Sequence, residues 1–301
     1  MAGGGQVRAI RDRIRSVGNT AKVTRAMELV AASKMRRAQD NALRARPYAQ
    51  QMIAVLSQLA SYTQGGGDTE ALHPLLETRP VDSVLYVHIT ADRGLAGGLN
   101  GNMNRRGASL LLEYQPTASR ITVLPVGRKG RDFFRRAGMD LVADFSELGD
   151  FPTFEDVRPI ARIIMDDFLS GKVDKVIVGY QRFVNAAVQR PTTLQILPIQ
   201  PPAQVEGEAA TKHVDFIIEP SPLALLDTLL PRFVEMQLYA AVLEARASEQ
   251  SARMVAMRQA TDAAKEMASD LTLAYNKARQ EGITGELLDI IGGVAALDSA
   301  N

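Results

Sequence analysis

Residues 240–278 read AAVLEARASEQSARMVAMRQATDAAKEMASDLTLAYNKA. Within them Ala240, Leu243, Ala247, Gln250, Met254, Met257, Thr261, Ala264, Ala268, Leu271, Tyr275 and Ala278 recur at alternating spacings of three and four. That heptad pattern puts one seam along one helix and predicts a left-handed supercoil with a second helix. Most seam residues are small, so the two helices approach closely. Less apolar area is then buried per heptad, at about 25 cal/mol per Å². The helix extends well beyond the seam, because from Pro222 to Leu297 the only interior breakers are Pro231 and a few late glycines.

The partner for this seam lies at the other end of the chain. From Gln6 to Ala60 only Pro47 interrupts a helix, and Val7, Ile10, Ile14, Val17 and Ala21 keep the same rhythm. The phase then shifts to Val23, Met27 and Val30. At about 1.5 Å per residue, some fifty helical residues reach about 75 Å, well beyond the ~30 Å of a small domain. Each end helix therefore pairs with the other, as an antiparallel coil leading away from what lies between them. A two-helix hairpin inside a larger bundle is the competing arrangement. It is disfavoured because a long α/β stretch, and not a short loop, separates the helices.

The stretch between the helices alternates strands and helices. Residues 84–90 (VLYVHIT), 121–126 (ITVLPV) and 175–180 (KVIVGY) read as strands, with 193–199 and 214–218 as further candidates. Residues 102–114, 129–137 and 154–171 read as helices, and the glycines and Pro74 within 63–80 as a loop. Such alternation indicates a parallel or mixed sheet with helices on it. The fold class is α/β: a long antiparallel coiled coil of the N- and C-terminal helices plus a central α/β domain. The expected division is 1–62, 63–219 and 220–301.

Composition narrows the function. Apolar residues make up 46% and charged ones 23%, as in a folded globular chain. With no cysteine there is no disulfide, thiol nucleophile or thiolate metal site. The N-terminus has no apolar signal segment, and no run of about twenty apolar residues suggests a membrane span. The first sixty residues carry Arg8, Arg11, Arg13, Arg15, Lys22, Arg25, Lys34, Arg36, Arg37, Arg44 and Arg46 against only Asp12, Glu28 and Asp40. These cations are spread around the helix, and only 33–37 (SKMRR) is a tight cluster. That distribution favours a solvated face or an acidic protein partner over a nucleic acid. Near the C-terminus Ile283, Leu287, Leu288, Ile290, Ile291, Val294 and Leu297 cover more than one helix face. They either fold back on the chain or sit in an apolar sleeve supplied by a partner.

Catalytic motifs are scarce. The glycine cluster at 92–100 (DRGLAGGLN) follows a strand and opens a helix, where a phosphate loop would sit. It lacks both the P-loop lysine and the GxGxxG spacing, so it reads as a tight connection with Asp92 or Asn100 as local caps. His73, His88 and His213 are isolated, and Asp166 with Asp167 is a surface carboxylate pair.

These segments resemble a known family. Residues 23–38 (VTRAMELVAASKMRRA) are similar to the N-terminal signature of the gamma subunits of F-type ATP synthases. Residues 90–100 (TADRGLAGGLN) resemble that family's strand-to-helix segment, and 247–258, 270–280 and 283–297 its C-terminal helix. The resemblance implies a non-catalytic rotor without cofactor or metal. Its coil stands inside a ring of alternating alpha and beta subunits, and its foot meets the epsilon subunit and the membrane c-ring. It implies contacts of Met27, Lys34, Arg36, Arg37, Arg279, Gln280 and Thr284 with beta subunits, and a foot segment at Glu219 and Pro220. No nucleic acid is implied, and the membrane is reached only through partners, at the cytoplasmic face of a bacterial plasma membrane. Ala96 stands where many relatives carry cysteine, and Asp289 where many carry glutamate. The paired-cysteine regulatory insertion of chloroplast forms is absent. A passive helical scaffold with an α/β head is the alternative, as is a small nucleotide-binding enzyme with helical extensions.

Overall fold

The computed structural model describes residues 3–65, 73–200 and 222–298. Helix α1 (Gly3–Gly65) is followed by a single 3-10 turn (Pro74–Leu76) and strand β1 (Ser83–Ile89). Then come α2 (Leu99–Tyr114), β2 (Arg120–Val126), α3 (Arg128–Arg136), the two-residue β3 (Asp140–Leu141) and α4 (Phe154–Leu169). The order ends with β4 (Lys175–Phe183), β5 (Gln189–Leu197) and α5 (Pro222–Asp298). Both end helices run through their single internal proline, Pro47 and Pro231. The candidate strand at 214–218 lies outside the described residues. The described residues form two compact units, Met1–Ala31 with Met254–Asn301, and Ala32–Arg253.

The first unit is an antiparallel coil of α1 and α5. On α5 the shielded positions are those of the heptad: Met257, Thr261 and Ala264 are buried, and Ala268, Leu271, Tyr275 and Ala278 half-buried. On α1 the structure departs from the sequence reading. No phase shift occurs. After Ala21 the shielded positions continue through Thr24, Met27, Glu28 and Ala31, so Met27 is shielded as read, while Val23 and Val30 are more than half exposed. Hydrophobicity misled here, because the uninterrupted three-and-four spacing fixes the shielded stripe and turns Val23 and Val30 outward. Thr24 also finds a partner for its hydroxyl in Thr261, 2.7 Å away across the seam. Each hydroxyl also has a carbonyl acceptor on its own helix, Thr24 at Ala21 (3.1 Å) and Thr261 at Met257 (2.8 Å), so either can supply the proton between them.

The second unit is a five-stranded mixed sheet in the order β3-β2-β1-β4-β5. The β3–β2, β2–β1 and β1–β4 pairs are parallel and β4–β5 is antiparallel. Alternation along β1 divides the core, since successive side chains point to opposite faces. Leu85, Val87 and Ile89 join α4 (Val157, Ile160, Ile164, Phe168) and α5 (Leu226 to Ala245) in the larger cluster. Val84 and Tyr86 join Met103, Leu110, Leu111 and Phe134 of α2 and α3 on the other face. Pro125 is tolerated within β2 because its carbonyl faces the β3 side, where it accepts from the Phe145 amide at 3.1 Å. The missing N–H lies on that same side, beyond the short β3, so no ladder bond to β1 is lost.

His88 is fully buried between α2 and α3. Its Nε2 lies 2.9 Å from Asn104 Oδ1, its Nδ1 3.1 Å from the Tyr86 hydroxyl, and its ring stands edge-on to Phe134. The Gly130 Cα passes so close that an added Cβ would meet His88 Cδ2 at 2.4 Å. Burial pushes the imidazole down to about 4, only partly opposed by the Asn104 hydrogen bond. The unfolded chain, near 6.5, therefore takes up the proton first. Stability is complete above pH 6.5 and falls between 6.5 and 4, by about 3 kcal/mol at pH 4. Urea unfolding at pH 7, 5.5 and 4.5, compared between the parent chain and His88→Gln, should give a shallower pH slope for the variant. Identical slopes would refute a neutral buried imidazole.

Candidate partner-contact surfaces

The cations of α1 singled out from the sequence meet different fates in the fold. Lys34 Nζ binds Asp150 Oδ2 at 2.6 Å, and Gln250 Nε2 of α5 donates to the other oxygen of Asp150 at 3.3 Å. The Lys34 hydrogen bond is the largest influence holding the Asp150 carboxyl below its ordinary range, against the opposing effect of burial; Arg93 and Arg246 act in the same direction. The guanidinium of Arg37 lies 4.4 Å from the centre of the Phe151 ring, a cation–π contact. Arg36 is exposed and has no ion-pair partner among the described residues. It borders a shallow groove with Ala32, Ser33, Arg37 and Asp40. Lys34 is thus held at Asp150, and Arg36 and Arg37 border one groove of the second unit. Met27, half-buried, belongs to the first.

On α5, Arg279, Gln280 and Thr284 are exposed and turned away from the shielded positions Tyr275, Ala278, Gly282 and Gly285. No hydrogen bond or ion pair engages these three side chains among the described residues. Beyond them, Ile283, Leu287, Leu288, Ile290, Ile291 and Val294 are each at least half exposed. Glu219 and Pro220 lie outside the described residues.

Sequence reasoning missed a buried charge network on α5. Glu249 accepts from Arg246 and Arg253, both at 2.8 Å, and Arg246 also approaches Asp92 at 3.5 Å. The side chains of these four residues are between 8% and 12% exposed. The charges at 246, 249 and 253 have the i,i+3 and i,i+4 spacing of neighbours on one helix face. That spacing was legible, but it resembles an ordinary solvated ladder; only the neighbouring Asp92 and Gly94 make it an interior one.

The glycine-rich loop at 92–100 is a structural junction. Asn100 Oδ1 accepts from the Ala91 amide at 3.1 Å, and Asp92 Oδ1 accepts from the amides of Arg128 and Glu147 at 3.0 and 3.2 Å. Asp92 therefore caps α3 and not the helix that follows it in sequence. The next two amides of α3, Lys129 and Gly130, go to the Ala91 carbonyl and the Thr90 hydroxyl. These are amides of α3; at the start of α2, which the glycine cluster opens, the Leu99 amide goes to the Ala96 carbonyl at 3.3 Å. Gly127 makes the close approach possible: its φ is +109°, and a Cβ there would lie 2.2 Å from the Thr90 carbonyl oxygen. In open α/β sheets ligands enter beyond the carboxyl ends of the strands, where the connections diverge, here between β1 and β4. At this place α5 lies on the sheet: Ser248 donates to the Gln181 carbonyl at 2.9 Å, Ser251 to the Ala186 carbonyl at 2.7 Å, and Arg253 to the Gly94 carbonyl at 3.4 Å. The arrangement suits holding a helix against a sheet and presenting the remaining faces to other proteins.

Comparison with known proteins gives this architecture a family. A family model described as ATP synthase matches residues 6–297. The ATP synthase gamma chain of Dehalococcoides mccartyi is 52% identical over 291 residues, covering 97% of this chain and 99% of that one. The gamma chain of Roseiflexus castenholzii is also 52% identical, covering 96% and 98%. Among solved structures, a chain of the central stalk and c-ring of the Tetrahymena thermophila mitochondrial ATP synthase aligns with a TM-score of 0.59 at 25% identity, covering 79% of this chain and 99% of that one. A chain of the Euglena gracilis mitochondrial ATP synthase shares the fold with a TM-score of 0.66 at 21% identity, covering 99% and 96%. Identity above half over nearly the whole length, with the coil and mixed sheet in the same order, places this chain in the family of ATP synthase gamma chains.

Proposed function

We propose that this chain is the rotating central shaft of an F-type ATP synthase. It couples proton flow through the membrane ring to ATP synthesis or hydrolysis on alpha and beta subunits, and performs no bond chemistry itself. The observation that carries this reading is the end of α5, where six large apolar side chains from Ile283 to Val294 are each more than half exposed on a single helix. Such a patch needs an apolar surround from a partner. Non-directional contacts of that kind hold a turning helix without fixing its angle. The α5 segment over the carboxyl ends of β1 and β4 supports a non-catalytic role.

In this reading Met27, Lys34, Arg36, Arg37, Arg279, Gln280 and Thr284 face beta subunits. The segment at Glu219 and Pro220 belongs to the foot, toward the epsilon subunit and the c-ring. The complex lies at the cytoplasmic face of a bacterial plasma membrane, with this chain attached peripherally. In support, no helix among the described residues is long and apolar enough to cross a membrane. Reconstitution with alpha and beta subunits tests the proposal. ATP hydrolysis should rise severalfold when this chain is added, with one copy per complex. No stimulation, or nucleotide turnover by the chain alone, would refute it.

A further inference from the structure

At the amino ends of the parallel strands, opposite the glycine-rich loop, lies a cleft of about 430 Å³. The shortness of β3 creates it. Strand β2 begins at Arg120, but β3 pairs with it only at Thr122 and Val123. The face of β2 turned toward α4 is therefore open beside Thr122. The cleft runs from there between the β3 edge, at Asp140, Leu141 and Val142, and the end of α4 with its following turn, at Asp167, Lys172 and Val173.

Its polar groups are only partly used by the fold. Thr122 is 3% exposed, and its hydroxyl has no hydrogen-bond partner among the described residues. A buried hydroxyl normally has one. The oxygen is not among the fully enclosed unpartnered atoms, so its small exposure is to this cleft. Asp167, half of the carboxylate pair that the sequence places at the surface, has a side chain only 16% exposed. Lys172 Nζ approaches one of its oxygens at 3.2 Å, and no hydrogen bond reaches the other among the described residues. On the β2–β3 side, Arg120 meets Asp140 through one nitrogen at 3.4 Å, and both side chains are more than 60% exposed. That single long contact leaves most of the guanidinium donors unused. Ser83, also on the wall, is engaged by Asp174, to which it donates at 2.9 Å.

We propose that this cleft binds a small zwitterion, an α-amino acid with a branched apolar side chain. Its ammonium pairs with Asp167, its carboxylate with Arg120 and the Thr122 hydroxyl, and its side chain lies on Leu141, Val142 and Val173. The charges select this class. Asp140 and Asp167 repel a simple anion, and Arg120 and Lys172 repel a simple cation. A ligand that carries both charges satisfies both sides at once, with charge-assisted hydrogen bonds at each end. Apolar walls with a few convergent polar groups are the usual make-up of a small-molecule site, and the volume is within the usual range of about 300–1,000 Å³. The inference does not depend on the rotary function.

The test is titration calorimetry of the full chain at two temperatures with L-leucine, with isocaproate, which lacks the ammonium, and with isoamylamine, which lacks the carboxylate. L-Leucine should bind one to one with a Kd of about 1 mM, as suits a ligand of so few atoms. Each analogue should bind about tenfold more weakly, for want of one charge-assisted pair. Asp167→Asn should weaken leucine binding about tenfold, and Thr122→Val and Arg120→Gln about fivefold each. Arg190→Gln, on β5, should bind as the parent does. Thr122→Val keeps the side-chain shape and removes an unpartnered hydroxyl, so it should unfold at the same or a higher temperature. Arg120→Gln changes an exposed position and should also leave the unfolding temperature unchanged. No saturable leucine binding, or equal affinity for either analogue, overturns the proposal. So does unchanged leucine affinity in both Thr122→Val and Arg120→Gln. A fall in the unfolding temperature of Thr122→Val also overturns it, because the hydroxyl would then serve the fold.

Discussion

Replacing Glu249 with alanine should cost this chain about 3–5 kcal/mol of stability, the usual cost of removing one member of a buried ion pair. Glu249 accepts from two guanidinium groups at 2.8 Å, and the side chains of all three residues are at most 12% exposed, so water cannot take over its role. Removing it leaves Arg246 and Arg253 facing each other in a poorly solvated site, with Asp92, at 3.5 Å from Arg246, and Asp150 as nearby counter-charges. Glu249→Gln keeps an acceptor but not the charge and should cost less. The urea midpoint for the three chains decides the matter. A shift for Glu249→Ala corresponding to under about 1 kcal/mol would mean that the network is solvated as a surface ladder is.

The second large effect should appear in the assembled complex. Arg279→Ala combined with Gln280→Ala should lower steady-state ATP hydrolysis by about tenfold or more, since one hydrogen bond from a charged donor is worth about 1.5–3 kcal/mol. Both side chains are exposed and unengaged among the described residues, so the isolated chain should keep its unfolding temperature. Deleting residues 294–301 should leave substantial hydrolysis, because an apolar sleeve supplies contacts without angular preference. Complex yield and hydrolysis measured for both variants separate the roles. A silent double substitution beside an inactive deletion would reverse the assignment.

Much of the fold is legible along the chain. From Met257 to Ala278 the α5 seam coincides with the shielded positions, since a heptad in sequence is a stripe in space, whereas from Ala241 to Ser251 the helix is buried nearly all round and no stripe stands out. Strands β1, β2, β4 and β5 and helices α2, α3 and α4 appear where alternation and apolar runs indicate them, with ends moved by a few residues. The two-residue β3 escaped because Asp140 and Leu141 carry no strand pattern; they pair with β2 only because the chain passes beside it.

Local pattern by itself determined that two long helices with a small-residue seam flank an α/β stretch, and that the family's segments occur in order. Tertiary structure alone decided which chemistry each residue has. Thr24 and not Val23 faces the seam because the three-and-four spacing continues through it, and its hydroxyl finds that of Thr261. Asp92 caps a helix 36 residues away in sequence, and Lys34, seemingly a free cation, is already held by Asp150. A residue's charge and polarity are properties of the sequence. Whether they are solvated, paired or buried depends on which distant segment lies within about 3 Å, and only folding sets that distance.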